Sequence, residues 1–256
     1  QEQKPAGKKW RIALSNDYAG NSWRQQMLKD WKSVVEKAKA QGLIAEGPAF
    51  TTNESSAAEQ AAQIQNLILE GYDAIVLDAA SPTALNAAVK KAIEAGIPVI
   101  SFDNAITEPS AYRLITDFEY YGRSEVEYLA TRLPNGGNVL EIRGLAGTYV
   151  NDAIHAGIME GIKKYPQFKI VGEVYGNWTE SVAQKEVAGI LPSLPKIDAV
   201  VTQGGDGYGA VKAFEAAGRP IPIVFMGNRY DELEIWKELK TKTGWDTSSC
   251  TISPSV

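Results

Sequence analysis

One histidine, His155, and one cysteine, Cys250, occur in the 256 residues of the chain. A zinc site built from His and Cys needs three or four such ligands, so that class is excluded. No disulfide can close within the chain. Cys250 is expected as a small buried hydrophobe in a strand. A Cys–His dyad would need Cys250 to reach His155 inside an expected helix. No apolar run approaches the roughly 18 residues of a membrane span. An excess of basic charge is also missing: 26 Lys and Arg stand against 31 Asp and Glu, a net charge of −5. That balance argues against nucleic acid or an anionic membrane as partner. No Gly-x-x-x-x-Gly-Lys-Ser/Thr stretch is present, so no phosphate loop of that kind is expected.

What is present is ordinary for a globular chain, with 44% apolar and 22% charged residues. The length allows one large domain or two small ones. Residues 1–9 read as a polar tail. From Trp10 onward, short apolar runs alternate with amphipathic stretches. Strands are expected at 10–15, 74–77, 98–102, 113–116, 138–142, 169–174, 199–202, 223–226 and near 247–252. Helices are expected at 22–41, 55–70, from Ser81-Pro82 to Gly96, and at 122–133, 151–164, 179–191, 208–217 and 231–240. Ala74-Ile75-Val76-Leu77 is continuously apolar, as in a strand buried on both faces of a parallel sheet. Ser81 is expected as an N-cap with Pro82 at the first helical position. This alternation specifies an α/β fold with parallel sheets, because each parallel pair needs a crossover.

The chain also repeats. Tyr72-Asp73-Ala74-Ile75-Val76 matches Ile197-Asp198-Ala199-Val200-Val201, and Ala19-Gly20-Asn21 matches Ala146-Gly147-Thr148. Asn53-Glu54-Ser55 matches Thr179-Glu180-Ser181, and Glu94-Ala95-Gly96-Ile97-Pro98 matches Ala216-Ala217-Gly218-Arg219-Pro220. The near-constant offset suggests two similar lobes with a ligand cleft between them: a first over 10–105, to which 254–256 return, and a second over 106–253.

In open parallel sheets, ligands bind outside the carboxyl ends of the strands. Those ends carry Asn16, Asn21, Trp23, Asp78, Asp103 and Asn104 in the first half. The second half offers Asn151, Asp152, Asn177, Trp178, Gln203, Asp206, Asn228 and Arg229. Carboxylates and amides there can grip paired hydroxyls, and indole faces can cover C–H surface, which suits a neutral polyol such as a sugar. Each residue keeps a plainer reading: Asn and Asp after strands cap helices, and Trp23 and Trp178 could be core.

Several segments resemble the sugar-binding proteins of ABC importers, the type I periplasmic-binding fold, in its ribose- and galactose-binding branch. They are Ala74–Ser81, Gly96–Asn104, Gly144–Thr148 with Gly157–Ile162, and Asp198–Val201 with Gly209-Ala210 and Ala216–Arg219. The resemblance implies two Rossmann-like lobes and capture of a monosaccharide or related polyol by hinge closure. It implies no catalysis, no cofactor and no metal. A membrane permease would be the partner, and the chain would be a periplasmic monomer, exported, with its signal peptide missing from this sequence. By position, Asn21 and Trp23 would hold and stack the ligand, Asp78 and Asp103 would accept from hydroxyls, and Trp178 would cover the ring. Asn104 stands where ribose binders have arginine, Asn228 replaces a common aspartate, and Gln203 or Asp206 lies near a family asparagine. Ile154 falls near a family arginine, with Asn151 as its substitute. Family members continue with a further helix and strand after a segment like Thr251–Pro254, so the first lobe is expected to lack its last helix.

Other readings remain. Asp78 and Asp103 could serve a carbohydrate-processing enzyme as paired carboxylates. Gly205-x-Gly207-x-x-Ala210 could open a dinucleotide site, although the next strand ends at Asn228 rather than an acidic residue. Lactose-repressor-type regulators share the fold but need an N-terminal helix-turn-helix. A ligand-sensing receptor subunit would look much the same.

Overall fold

Every strand pair in both sheets is parallel among the described residues, so the chain must cross over between paired strands, in most cases through a helix. A computed structural model describes residue 7 and residues 9–255. It divides into two units, one of residues 9–116, 147–149 and 253–255, the other of Asp117–Ala146 and Val150–Ile252. Most of the polar tail 1–9 lies outside the described residues.

The first unit runs β1 (Trp10–Asn16), α1 (Ser22–Ala40), β2 (Ile44–Glu46), β3 (Ala49–Thr51), α2 (Ala57–Leu69), β4 (Ala74–Asp78), α3 (Asn86–Glu94), β5 (Val99–Phe102) and β6 (Tyr112–Leu114). Its sheet has the order β2-β1-β4-β5-β6, with β3 also on β1. Alternation along β1 sends Ala13 into one core, with Ile64, Ile75, Leu77, Val89 and Val99, and Leu14 into another with Met27 and Phe102. The second unit runs α4 (Phe118–Arg132), β7 (Gly137–Arg143), α5 (Tyr149–Lys164), β8 (Phe168–Tyr175), α6 (Glu180–Ile190), β9 (Ala199–Val201), α7 (Gly207–Ala216), β10 (Ile223–Val224) and α8 (Tyr230–Thr243). Its sheet order is β10-β9-β7-β8. Leu140, Ile142, Val200, Phe214 and Val224 centre its core. Each fully buried side chain of this kind contributes roughly 1.5–3 kcal/mol. The matching segments Tyr72–Val76 and Ile197–Val201 lead into β4 and β9, an inner strand of each sheet. Among the described residues, no helix is long and apolar enough to cross a membrane.

The structure corrects four expectations. The helix expected at Ser81-Pro82 begins at Asn86. The Pro82 carbonyl accepts from Thr107 N at 2.7 Å, so it is not available to the helical ladder. Ser81 Oγ instead caps a turn, accepting from Ala84 N at 3.1 Å. The last expected strand is a single bridge, Met226 with Ser249, and Cys250 is half-buried beside it rather than inside a strand. The first unit extends to Thr116 rather than 105, because β6 pairs with β5. Finally, β2 and β3 are additional strands, both on β1 and separated by Gly47-Pro48.

Helices α4 and α5 approach to backbone contact at two glycines. A Cβ on Gly157 would lie 2.0 Å from Glu119 O, and one on Gly122 would lie 2.1 Å from Ile154 O. Gly157→Ala is therefore expected to destabilise by about 1–3 kcal/mol, read as a lower urea midpoint. Gly189→Ala, with open space around its Cβ in α6, is expected to raise stability by about 0.4–1 kcal/mol. Equal behaviour of the two variants would refute the close packing of α4 on α5.

Candidate functional site

Parallel register places Asn16 beside Asp78 at the carboxyl edge of the first sheet. Asp17 follows β1, and Asp103-Asn104 follow β5. Helix α1 delivers a guanidinium into this edge. Asn21 caps the helix, its Oδ1 accepting from Arg24 N at 2.9 Å. Arg24 is 1% exposed. Its Nη1 donates to Asn16 Oδ1 at 3.0 Å, lies 3.1 Å from Asp17 Oδ1 and pairs with Asp78. Its Nη2 stands 3.7 Å from Asp103 Oδ2 and has no hydrogen-bond partner among the described residues.

The acids around Arg24 are themselves held. Asn104 donates to Asp78 Oδ1 from its side chain at 3.1 Å and from its backbone at 3.3 Å. Ser55 Oγ donates to Asp17 Oδ2 at 2.8 Å. Asp103 takes a left-handed backbone conformation, φ 52°, which costs a non-glycine residue free energy and is found at functional sites more than elsewhere. Its side chain is 12% exposed. Burial pushes its carboxyl up to about 6, opposed by the Arg24 charge and reinforced by Asp17. Trp23 is half-buried against Leu14, Met27 and Phe102, with the Arg24 guanidinium carbon 5.3 Å from its ring. Asp78, Asp103 and Asn104 thus converge on Arg24, with Asn21 and Trp23 at its helix start.

In the second unit, Asn151, Trp178 and Gln203 form one network around the loop after β7. Gly144 N donates to Asn151 Oδ1 at 3.0 Å and to Gln203 Oε1 at 3.1 Å. Trp178 Nε1 donates to the same Gln203 oxygen at 3.0 Å. Gln203 Nε2 donates to Asn151 O at 3.0 Å and Oδ1 at 3.3 Å. These contacts use every donor and acceptor of the Gln203 amide. The Trp178 indole packs on Gly144, where a Cβ would come within 2.1 Å of the ring. Asn177 and Trp178 are both left-handed, at φ 54° and 53°. Asp206 belongs to a different group. It is wholly buried at the start of α7, burial drives its carboxyl well up, and Arg229 opposes that shift while Glu232 and Glu180 add to it. Asn228 is exposed and accepts from Thr251 Oγ1 at 3.1 Å.

Arg24 and Asp17 are members of this cluster that strand-end reasoning did not find. The sequence carries a signal for the first. Arg24, Met27, Trp31 and Val35 recur at helical spacing, so a basic residue sits on the inward stripe of α1. Glu232 is a third omission, its carboxylate accepting from the backbone of Gly205 at 3.0 Å and Gly207 at 3.2 Å.

A family model described as the periplasmic binding protein domain matches residues 12–248. The chain belongs to this family. It is the family whose likeness the Ala74–Ser81 and Gly96–Asn104 segments carry. The chain is 32% identical over 182 residues to the xylitol-binding protein of Mycolicibacterium smegmatis, covering 70% of this chain and 52% of that protein. It is 30% identical over 240 residues to the D-ribose/D-allose-binding protein of Pseudomonas aeruginosa, covering 90% and 73% respectively. The match thus spans about half the length of the first relative and about three-quarters of the second. Among solved structures, the ABC transporter solute-binding protein of Thermobispora bispora superposes with a TM-score of 0.89 at 36% identity, over 96% of this chain and 76% of that one. Members of this periplasmic-binding family bind solutes rather than transform them.

The raised carboxyl of Asp103 has a consequence for stability. An acid whose folded pKa exceeds its unfolded value holds more protons when folded, so stability falls as pH rises between the two values. For Asp103 that window runs from 3.8 to about 6. The stability gain of Asp103→Asn over the parent is expected to grow across this window and level off above it. Chemical denaturation at pH 4, 5, 6 and 7 measures it; a difference independent of pH would disprove the buried, charged state of Asp103.

Proposed function

We propose that this chain captures a neutral monosaccharide or polyol for an ABC importer, with the Arg24 cluster of the first unit as its principal grip. The observation that carries the reading is a buried guanidinium surrounded by three aspartates, with one Nη2 nitrogen lacking a hydrogen-bond partner and one partly exposed carboxylate beside it. A sugar hydroxyl both donates and accepts, so adjacent hydroxyls match adjacent carboxylate and guanidinium groups. In this reading Asp103 accepts from ligand hydroxyls, Arg24 Nη2 donates to a ligand oxygen, and Asn104 and Asn21 hold Asp78 and α1 in place. Trp23 supplies an apolar edge. Gln203 and Asn151 fix Trp178 within the second unit.

The names of the relatives support the class of ligand: one is a xylitol-binding protein and another a D-ribose/D-allose-binding protein. The chemistry of the cluster argues for binding without turnover. Glycoside hydrolysis needs a carboxylate at liberty to attack or to activate water, whereas Asp78 is engaged by Arg24 and Asn104. We take the working location as the periplasm, the partner as a membrane permease and the protein as a monomer without affinity for nucleic acid.

Three carboxylates against one guanidinium leave the cluster negative, which disfavours anionic ligands. In a thermal-shift screen, neutral pentoses, hexoses and polyols are expected to include at least one that raises the midpoint by mass action. Uronic acids and sugar phosphates are expected to leave it unmoved. With that ligand in calorimetry, Asp103→Ala and Arg24→Met are each expected to weaken binding at least about tenfold, since a ligand hydroxyl loses its buried partner. Unchanged affinity in both variants, or selective binding of an acid sugar, would defeat this assignment.

A further inference from the structure

We propose that Glu141, His155 and Glu173 form a binding site for one divalent transition-metal ion of the zinc class. Glu141 lies in the middle of β7 and Glu173 in β8, and the two are register partners in the parallel sheet. Their side chains therefore share a face, and two like charges at that spacing repel. His155, on α5, brings Nδ1 to 2.8 Å from Glu141 Oε1 and 4.0 Å from Glu173 Oε2. One donor atom from each of the three residues lies within 4.8 Å of the others. Metal-site reasoning from the sequence counted only His and Cys; here carboxylates from two strands complete the set.

Two independent observations favour an ion over a simple hydrogen bond. Glu141 is wholly buried, and its second oxygen, Oε2, has no hydrogen-bond partner among the described residues. A buried carboxylate oxygen left in that state costs free energy unless something positive meets it. The local charge is also unbalanced. Arg143 is the cation nearby, 3.6 Å from Glu173 Oε1 and 3.3 Å from Asp152 Oδ1. Three carboxylates thus face one guanidinium beside the imidazole, an excess of negative groups that a divalent ion offsets. His155 and Glu173 are 29% and 39% exposed, so an ion can enter from solvent. One imidazole nitrogen with two carboxylates and an open position matches a three-ligand zinc site completed by water. The imidazole selects against magnesium and calcium. The site is independent of the sugar reading, since it uses none of the residues assigned to it.

The chain has a single histidine, which makes the test direct. Protein without a polyhistidine tag, stripped with chelator and desalted, is titrated with Zn²⁺ by calorimetry while the imidazole ¹H–¹⁵N correlations are recorded. About one equivalent of Zn²⁺ is expected to bind and to shift the His155 resonances. His155→Ala and Glu173→Gln are expected to weaken binding at least about tenfold. Both positions are partly exposed, and circular dichroism verifies that each variant is folded. No heat with an unmoved imidazole would overturn the proposal. So would Zn²⁺ binding of parental strength in folded His155→Ala, or displacement of Zn²⁺ by equimolar Mg²⁺.

Discussion

The buried guanidinium of Arg24 is the constraint around which the first unit's strand ends are arranged. A charge removed from water must be met by opposite charge and by hydrogen bonds. Arg24 is met by side chains of Asn16, Asp17 and Asp78, and approached by Asp103. Those four residues come from the ends of three strands that only a parallel β1-β4-β5 arrangement places side by side. The dependence runs both ways: without Arg24, three acids would crowd one sheet edge with no counter-charge. The helix that carries Arg24 is fixed in turn by Asn21, whose cap bond goes to the Arg24 amide itself. One side chain thus links helix start, strand ends and site chemistry.

Backbone strain is concentrated at the same places. Asp103, Asn177 and Trp178 all adopt left-handed conformations without being glycine. Each follows a strand, and each lies in or beside a cluster of polar groups. Such conformations persist only where neighbouring contacts over-determine them. At Trp178 the contacts are explicit: the indole rests on Gly144, and its N–H is held by Gln203. Gly144 is thus required for close approach of the ring to the chain, whatever its own φ.

How much of this was legible in the sequence follows from the range of the forces involved. The long helices and apolar strands declare themselves through local periodicity, so β4, β7, α1 and α5 fall close to their expected limits. Strands of three residues, such as β2 and β3, carry too few positions to show a period, and Pro48 between them interrupts the pattern. The start of α3 depends on a bond from Thr107 to Pro82 across twenty-five positions, which no local rule contains. Asp78, Asp103 and Asn104 were readable because strand-end polarity is a local signal. Arg24 and Asp17 were not singled out, although an arginine on the apolar stripe of α1 is an anomaly that invites a partner. Asn151 and Gln203 were found as polar strand-end and helix-start groups, but only the folded chain reveals that their hydrogen bonds are spent on Gly144, Trp178 and each other.

The cluster's charge also ties stability to occupancy. Three carboxylates share one guanidinium in a largely dry setting, where burial raises the Asp103 carboxyl, the Arg24 charge opposes that rise and Asp17 adds to it. Hydroxyl donors from a neutral ligand stabilise the ionised carboxylates without adding charge. A ligand that binds the folded chain alone raises its stability in proportion to the logarithm of its concentration. A site built this way disfavours anions through its own charge. On the proposed reading, neutral guests would be told apart by whether their hydroxyls reach both Asp103 and the Arg24 nitrogen, because a hydroxyl that reaches only one leaves the other buried and unsatisfied.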